Sequence, residues 1–190
     1  MAYYEDLPVG KLTLTGGGSV GTLAAVSGLS VAHKIMGPLV VSTFTLTDVA
    51  QAVVNGTEYQ STKLFTFPAC HLVVNNVFAS IAQKTTSAIA STLNSGVTGA
   101  LGLGSAAASN VSLTGTMVNM LPTTAFVTST VINVAAAASA AVLAAPATLD
   151  GSATAKDMYI NTAYATTTDV DADATQTLTG TIIVAWINLG

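Results

Sequence analysis

The 190-residue chain predicts an all-β fold, a jelly-roll-like β-sandwich with a less regular N-terminal arm. Three observations carry that prediction. The chain holds 29 Thr and 21 Val, β-branched residues that are stiff at χ1 and suit a pleated surface. Short β-forming runs recur at roughly ten-residue spacing between Gly, Pro and Asn signals, as in sandwiches and barrels. Helical patterns do not alternate with those runs, which disfavours a parallel α/β sheet. A chain of this length makes one domain, burying roughly 70% of the surface its unfolded form exposes.

Residues 1–37 read as an arm and residues 38–190 as the sandwich. Tyr3, Tyr4 and Leu7 precede Pro8 and a glycine-rich stretch, so this part is the least regular. In LVVSTFTLTD (39–48), Val40, Ser42, Phe44 and Leu46 alternate with Val41, Thr43, Thr45 and Thr47, the pattern of a half-buried strand. Asn55-Gly56 follows as a turn. KLFTF (63–67) is a short strand closed by Pro68, and HLVVNNVFASIA (71–82) is apolar on both faces, as a central strand is. Asn75-Asn76 inside it marks a bulge. Residues 85–93 lead to a turn at Asn94-Ser95-Gly96, and VTGALGLG (97–104) is a strand thinned by glycine. VSLTGTMVNML (111–121) and TAFVTSTVINV (124–134) continue the β series around Pro122. AAAASAAVLAA (135–145) is the one good helix candidate by alanine content, with a weak strand as its alternative. After Asp150-Gly151, residues 156–165 and 175–188 supply the last two strands.

The final strand carries most weight. Leu178, Ile182, Val184 and Trp186 share one face, while Ile183, Ala185 and Ile187 lie on the other. A sheet with one wet face alternates apolar with polar, so the second face here needs a cover. Two readings stay open: a central strand between two layers of one domain, or a subunit interface, where Trp is enriched. The interface candidates are Ile183, Ala185, Trp186 and Ile187, with Tyr3 and Tyr4 as aromatic anchors on the arm.

Composition narrows the partners. Charged residues are 7% of the chain, with five Lys and no Arg, for a net charge of −4. Nucleic-acid binding rests on neutralising phosphates with Lys and Arg, so none is expected. A surface this poor in charge is one that polar hydroxyls or other subunits must cover. Mean hydropathy is +0.63, yet Asn133, Ser139 and Pro146 interrupt the longest apolar run, and a spanning helix wants about 20 strongly apolar residues. No membrane association is expected. Glu5 and Asp6 stand where an export signal carries Lys or Arg.

The motifs that invite chemistry fail their context tests. Gly16, Gly18 and Gly21 spell a dinucleotide fingerprint, but TLAAVSGLSVAHKI is a poor helix and the nearest acid, Asp48, is too distant. Gly17, Ser19 and Gly21 spell a nucleophile elbow, with Asp48 and His71 in triad order, yet no hydrolase sheet joins them. Cys70 and His71 are neighbours, and adjacent strand side chains point to opposite faces, so no Cys–His dyad forms. Cys70 reads as a small buried hydrophobe and the sole cysteine excludes an intrachain disulfide. His33 and His71 are too few for a zinc or jelly-roll enzyme site. Asp169, Asp171 and Asp173 begin like a calcium loop, but Ala174 replaces its glycine and Gly180 its final glutamate. A solvated acidic loop is expected, with no catalytic residue, cofactor or metal.

The C-terminal residues 149–190 resemble tailed-bacteriophage virion proteins of the capsid decoration (cement) type. The resemblance rests on DGSATAKDMYIN (150–161) and GTIIVAWINLG (180–190), and more loosely on Phe67-Pro68, LGLGSAAAS (101–109) and LTGTMVNMLPTTAF (113–126). It implies a non-enzymatic jelly-roll protein, usually trimeric, bound to the major capsid protein on the outside of the phage head. A tail, fibre or knob component with a host-binding role is the alternative. The single Trp in a core-like strand counts against that alternative, which expects exposed aromatics.

Overall fold

A computed structural model of the chain describes residues 20–85, 98–127, 136–142, 146–164 and 173–190. The β-branched runs form eleven strands: β1 (Thr22–Leu23), β2 (Leu29–Met36), β3 (Leu39–Val53), β4 (Tyr59–Thr66), β5 (His71–Thr85), β6 (Thr98–Gly104), β7 (Leu121–Val127), β8 (Ala136–Val142), β9 (Ala147–Asp150), β10 (Asp157–Tyr164) and β11 (Ala174–Asn188). They build two antiparallel sheets packed as a sandwich. A five-stranded sheet has the order β1-β4-β10-β6-β7, and a six-stranded sheet the order β2-β3-β11-β5-β8, with β9 pairing the start of β5.

Strand parity sets the core. Val40, Ser42, Phe44 and Leu46 of β3 are buried as their alternation requires. Leu178, Ile182, Val184 and Trp186 of the neighbouring central strand β11 lie beside them on the same inner face, each fully buried. Phe44, Phe65, Phe67 and Trp186 meet edge to face in a chain across the two layers, with centroids 5.2–5.4 Å apart, the arrangement their ring quadrupoles favour. The Asn-Asn signal is a bulge: Ala185 pairs with Asn76 and Trp186 with Val74, leaving Asn75 as the extra residue.

Three expectations change. The arm is shorter than residues 1–37, because Val20 is buried and residues 22–36 contribute β1 and β2 to the two sheets. Pairing draws this segment in: Leu29–Met36 aligns with Leu39–Leu46 as a hairpin through Gly37. The alanine-rich candidate helix is strand β8 over Ala136–Val142, paired with β5. Helix propensity is a weak prior, and tertiary pairing overrides it. VSLTGTMVNML is largely loop, with a 3-10 turn at Gly115–Met117 before β7 begins at Leu121.

His33 is a titratable group on the inner side of the six-stranded sheet. His33 on β2 is half-buried against the Phe65 ring at 5.7 Å, and its Nδ1 is 2.9 Å from Ser42 Oγ. Trp186 Nε1 donates to the same oxygen at 3.0 Å. Ser42 therefore has its own proton to give to His33 Nδ1. Burial pushes the His33 pKa below its ordinary 6.5, so the unfolded chain takes up that proton first. Stability stays level above about pH 6.5 and falls as pH drops below it, because the unfolded state then binds more protons. Thermal melts between about pH 8 and pH 5 should show that decline, and His33→Gln, which keeps an acceptor but does not titrate there, should flatten it. An undiminished decline in His33→Gln assigns the effect to another group.

Candidate functional site

The two outer faces of the sandwich are treated differently. The face of the five-stranded sheet is covered by the chain's own residues 105–120. Asn161 on β10 anchors that cover: its Nδ2 donates to the carbonyls of Ala106 at 2.9 Å and Met117 at 2.7 Å. Its Oδ1 accepts from Ser61 Oγ at 2.6 Å and from the Ala108 amide at 3.1 Å. Gly104 lets the loop lie directly on the sheet, since a Cβ there would come within 2.2 Å of the Met117 backbone. A small second core of Leu113, Met117 and Ala163 forms beneath the loop. Beside it, Asp157 accepts from Thr66 Oγ1 at 2.6 Å and Tyr159 OH at 3.1 Å and pairs with Lys63 at 2.9 Å. Although burial works to raise it, these bonds hold the Asp157 carboxyl below its usual value.

The six-stranded sheet has no counterpart of that loop among the described residues. Its register aligns apolar side chains in rows across four strands. Met36, Leu39, Ile187 and Val73 form one row. Val41 and Ala185 form the next, and beyond it Ile183 stands beside Phe78. Phe78 is 40% exposed and Met36 45%, while Leu39, Val41, Val73, Ile183, Ala185 and Ile187 are half-buried. Thr43, Thr45, Thr179, Thr181 and Ser80 continue the face as a hydroxyl ladder. Lys34 at the edge is the one charge in the apolar rows. The band is thus apolar and nearly free of charge, where a wet sheet face alternates apolar with polar residues.

Of the residues singled out in the sequence, Ile183, Ala185 and Ile187 lie together on this face. Trp186 does not: it is fully buried between the sheets, because adjacent strand residues face opposite ways. Tyr3, Tyr4, Asp169 and Asp171 lie outside the described residues. Asp173 is exposed, and its Oδ1 accepts the Asn55 amide at 2.9 Å, so it caps the turn that carries the chain between sheets. Leu39, Val41, Val73 and Phe78 were missed. Each is readable as an outward position on its own strand, but only the register shows that they adjoin.

Gly21 leads into a strand, not a helix, and its φ of 102° places it where a Cβ would strike the Phe65 ring. Gly16, Gly17, Gly18 and Ser19 lie outside the described residues. Asp48 sits beside Thr179, whereas His71 sits beside Leu189, at the opposite end of β11. His71 instead approaches Asp150 at 3.4 Å, and Ser152 Oγ donates to that same carboxylate at 2.7 Å. These bonds lower the Asp150 pKa, Ser152 most. Ser152 bonds the acid rather than the imidazole, so it lacks a base to activate it. Cys70 is buried while His71 is exposed, and burial pushes the thiol up, away from the reactive thiolate.

Sequence parity also hid a polar layer inside one end of the sandwich. Gln51, Gln83, Gln176, Thr162 and Tyr164 occupy inward positions in line with core residues, and all are buried. Gln176 Nε2 donates to Gln51 Oε1 at 2.7 Å and Thr162 Oγ1 at 2.8 Å. Its Oε1 accepts from Gln83 Nε2 and from the Tyr164 hydroxyl. Gln51 Nε2 reaches the Ile160 carbonyl at 3.2 Å. Burial pushes the Tyr164 phenol well above its usual pKa, so it stays a donor. The readable signal was glutamine at three apolar-parity positions.

Comparison with protein-family models, curated proteins and solved structures gave no match.

Proposed function

We propose that this chain is an auxiliary capsid protein that decorates the exterior of a tailed-phage head and stabilises it without catalysis. The observation that carries the reading is the apolar outer face of the six-stranded sheet, which no loop among the described residues covers, in a chain whose other sheet is covered by its own loop. Covering such a face removes apolar area from water at about 25 cal/mol per Å². The partners proposed are the major capsid protein and further copies of the chain as a homotrimer.

Three further points support the reading. The C-terminal motifs resemble decoration proteins, and both have structural jobs: Asn161 fastens the covering loop, with Asp157 and Tyr159 bonded to each other on the same strand, while the last motif supplies most of the central strand. The strand order supports a jelly roll: β3-β11-β5-β8 faces β4-β10-β6-β7, and along these eight strands every connection but β6 to β7 crosses between sheets. The lack of arginine suits a surface turned away from packaged nucleic acid. The mechanism is mass action. A protein that binds only the assembled lattice stabilises it by about 4 kcal/mol per site when present at a thousandfold its Kd.

The test is co-sedimentation of the purified chain with assembled tailed-phage heads, alongside sedimentation velocity of the chain alone. The chain should pellet with heads and run as a trimer. Phe78→Asp with Ile183→Asp, both on the outer face, should abolish pelleting while leaving the thermal melt within a few degrees of wild type. A stable monomer that ignores heads overturns the reading.

A further inference from the structure

Glu58 is a buried acid with no ion-pair partner among the described residues. Its side chain is 1% exposed, and Oε1 has no hydrogen-bond partner. The ion pairs of the described residues lie elsewhere, at Asp157 and Asp150. Gln60, two residues on and 8% exposed, has neither its oxygen nor its nitrogen bonded. Both side chains face inward. Gln60 pairs with Thr162, whose hydroxyl reaches Gln51 on the opposite sheet at 2.9 Å. Glu58 shares the parity of Gln60, and its carbonyl accepts the Tyr164 amide at 2.7 Å, which extends the β4–β10 ladder to it. Residues two apart on a strand stand about 7 Å apart on one face, close enough for both tips to reach an ion between them.

A charged carboxylate held out of water without a partner is costly, and such groups are paired or hold a cation. The loose donors here are a carboxylate and carboxamide oxygens, a hard set without nitrogen or sulfur ligands. Their charge is a single negative one. A divalent ion would leave a net positive charge buried, whereas a monovalent ion leaves none. We propose that Glu58 and Gln60, on the inner face at the start of β4, bind one monovalent cation of sodium or potassium size, with water completing its shell. This site is independent of the outer face and of any capsid role.

Thermal melts at equal ionic strength in sodium, potassium and choline chloride test it, choline being too large to enter. The wild-type chain should melt about 3–6 °C higher in sodium or potassium chloride than in choline chloride, for an ion at ten times its Kd. Glu58→Gln should lose that difference and melt above wild type in choline chloride. Gln60→Leu, an apolar replacement inside a core, should fold and show a smaller difference, which keeps the test open if Glu58→Gln misfolds. Equal melting of the wild type in all three salts overturns the proposal. So does a salt-specific shift that persists in Glu58→Gln, or a shift produced by calcium and not by sodium or potassium.

Discussion

Trp186→Ala is expected to remove about 3–5 kcal/mol of folding stability, the cost of emptying a large buried aromatic site. Domains hold about 5–15 kcal/mol in total, so this one change takes about a fifth or more. Trp186 has no exposed surface, stacks edge-on to Phe67 at 5.4 Å and gives its N–H to Ser42 at 3.0 Å. It also stands beside the Asn75 bulge, where β11 shifts register against β5. Loss of the ring would leave a void that two paired strands cannot close by sliding, since a one-residue slip turns every side chain to the wrong face. Trp186→Phe keeps one aromatic ring in the site but loses the N–H and the volume of the second ring, so about 1–3 kcal/mol is expected. Urea unfolding followed by circular dichroism gives both values, with the slope unchanged if the native fold is kept. A Trp186→Ala chain that keeps its urea midpoint but loses association would return Trp186 to the interface.

That contrast shows how much was legible. Alternation along a strand is local, and Val40, Ser42, Phe44 and Leu46 fell on the core side as read. So did Leu178, Ile182, Val184 and Trp186, and the Asn-Asn pair marked its bulge. What the sequence could not show is the phase break in the middle of β3. Asp48 adopts a φ of 51°, with Thr47 and Asp48 both opposing Thr179, and the inward positions become Val49, Gln51 and Val53. Such a break depends on the partner strand. Register also decides which outward residues adjoin, so Phe78 joins Ile183 only through pairing between segments a hundred residues apart. At 135–145 composition left helix and strand both open, and pairing decides: β5 offers Ala136–Val142 a ladder. Gly102 and Gly104 read as thinning of a strand, and their use is to let residues 116–121 lie close.

The polar layer yields the second large effect. Gln176→Leu is expected to cost about 4 kcal/mol, since it removes four hydrogen bonds from a buried site at about 1 kcal/mol each. Those bonds join Gln51 on β3, Gln83 on β5, and Thr162 and Tyr164 on β10 to the central strand. The layer therefore ties both sheets together at the end where β3 crosses to β4. The cost should come from the stranded partners more than from the lost bonds as such, because an unmet buried polar group forfeits its full hydration. Replacing the partners too separates the two. A triple variant, Gln51→Leu with Thr162→Val and Gln176→Leu, should lose less stability than the sum of the three single changes, as coupled residues do. Denaturant midpoints of the singles and the triple provide the comparison. Strict additivity would mean that these side chains act separately, and the network account of this end of the sandwich would fail.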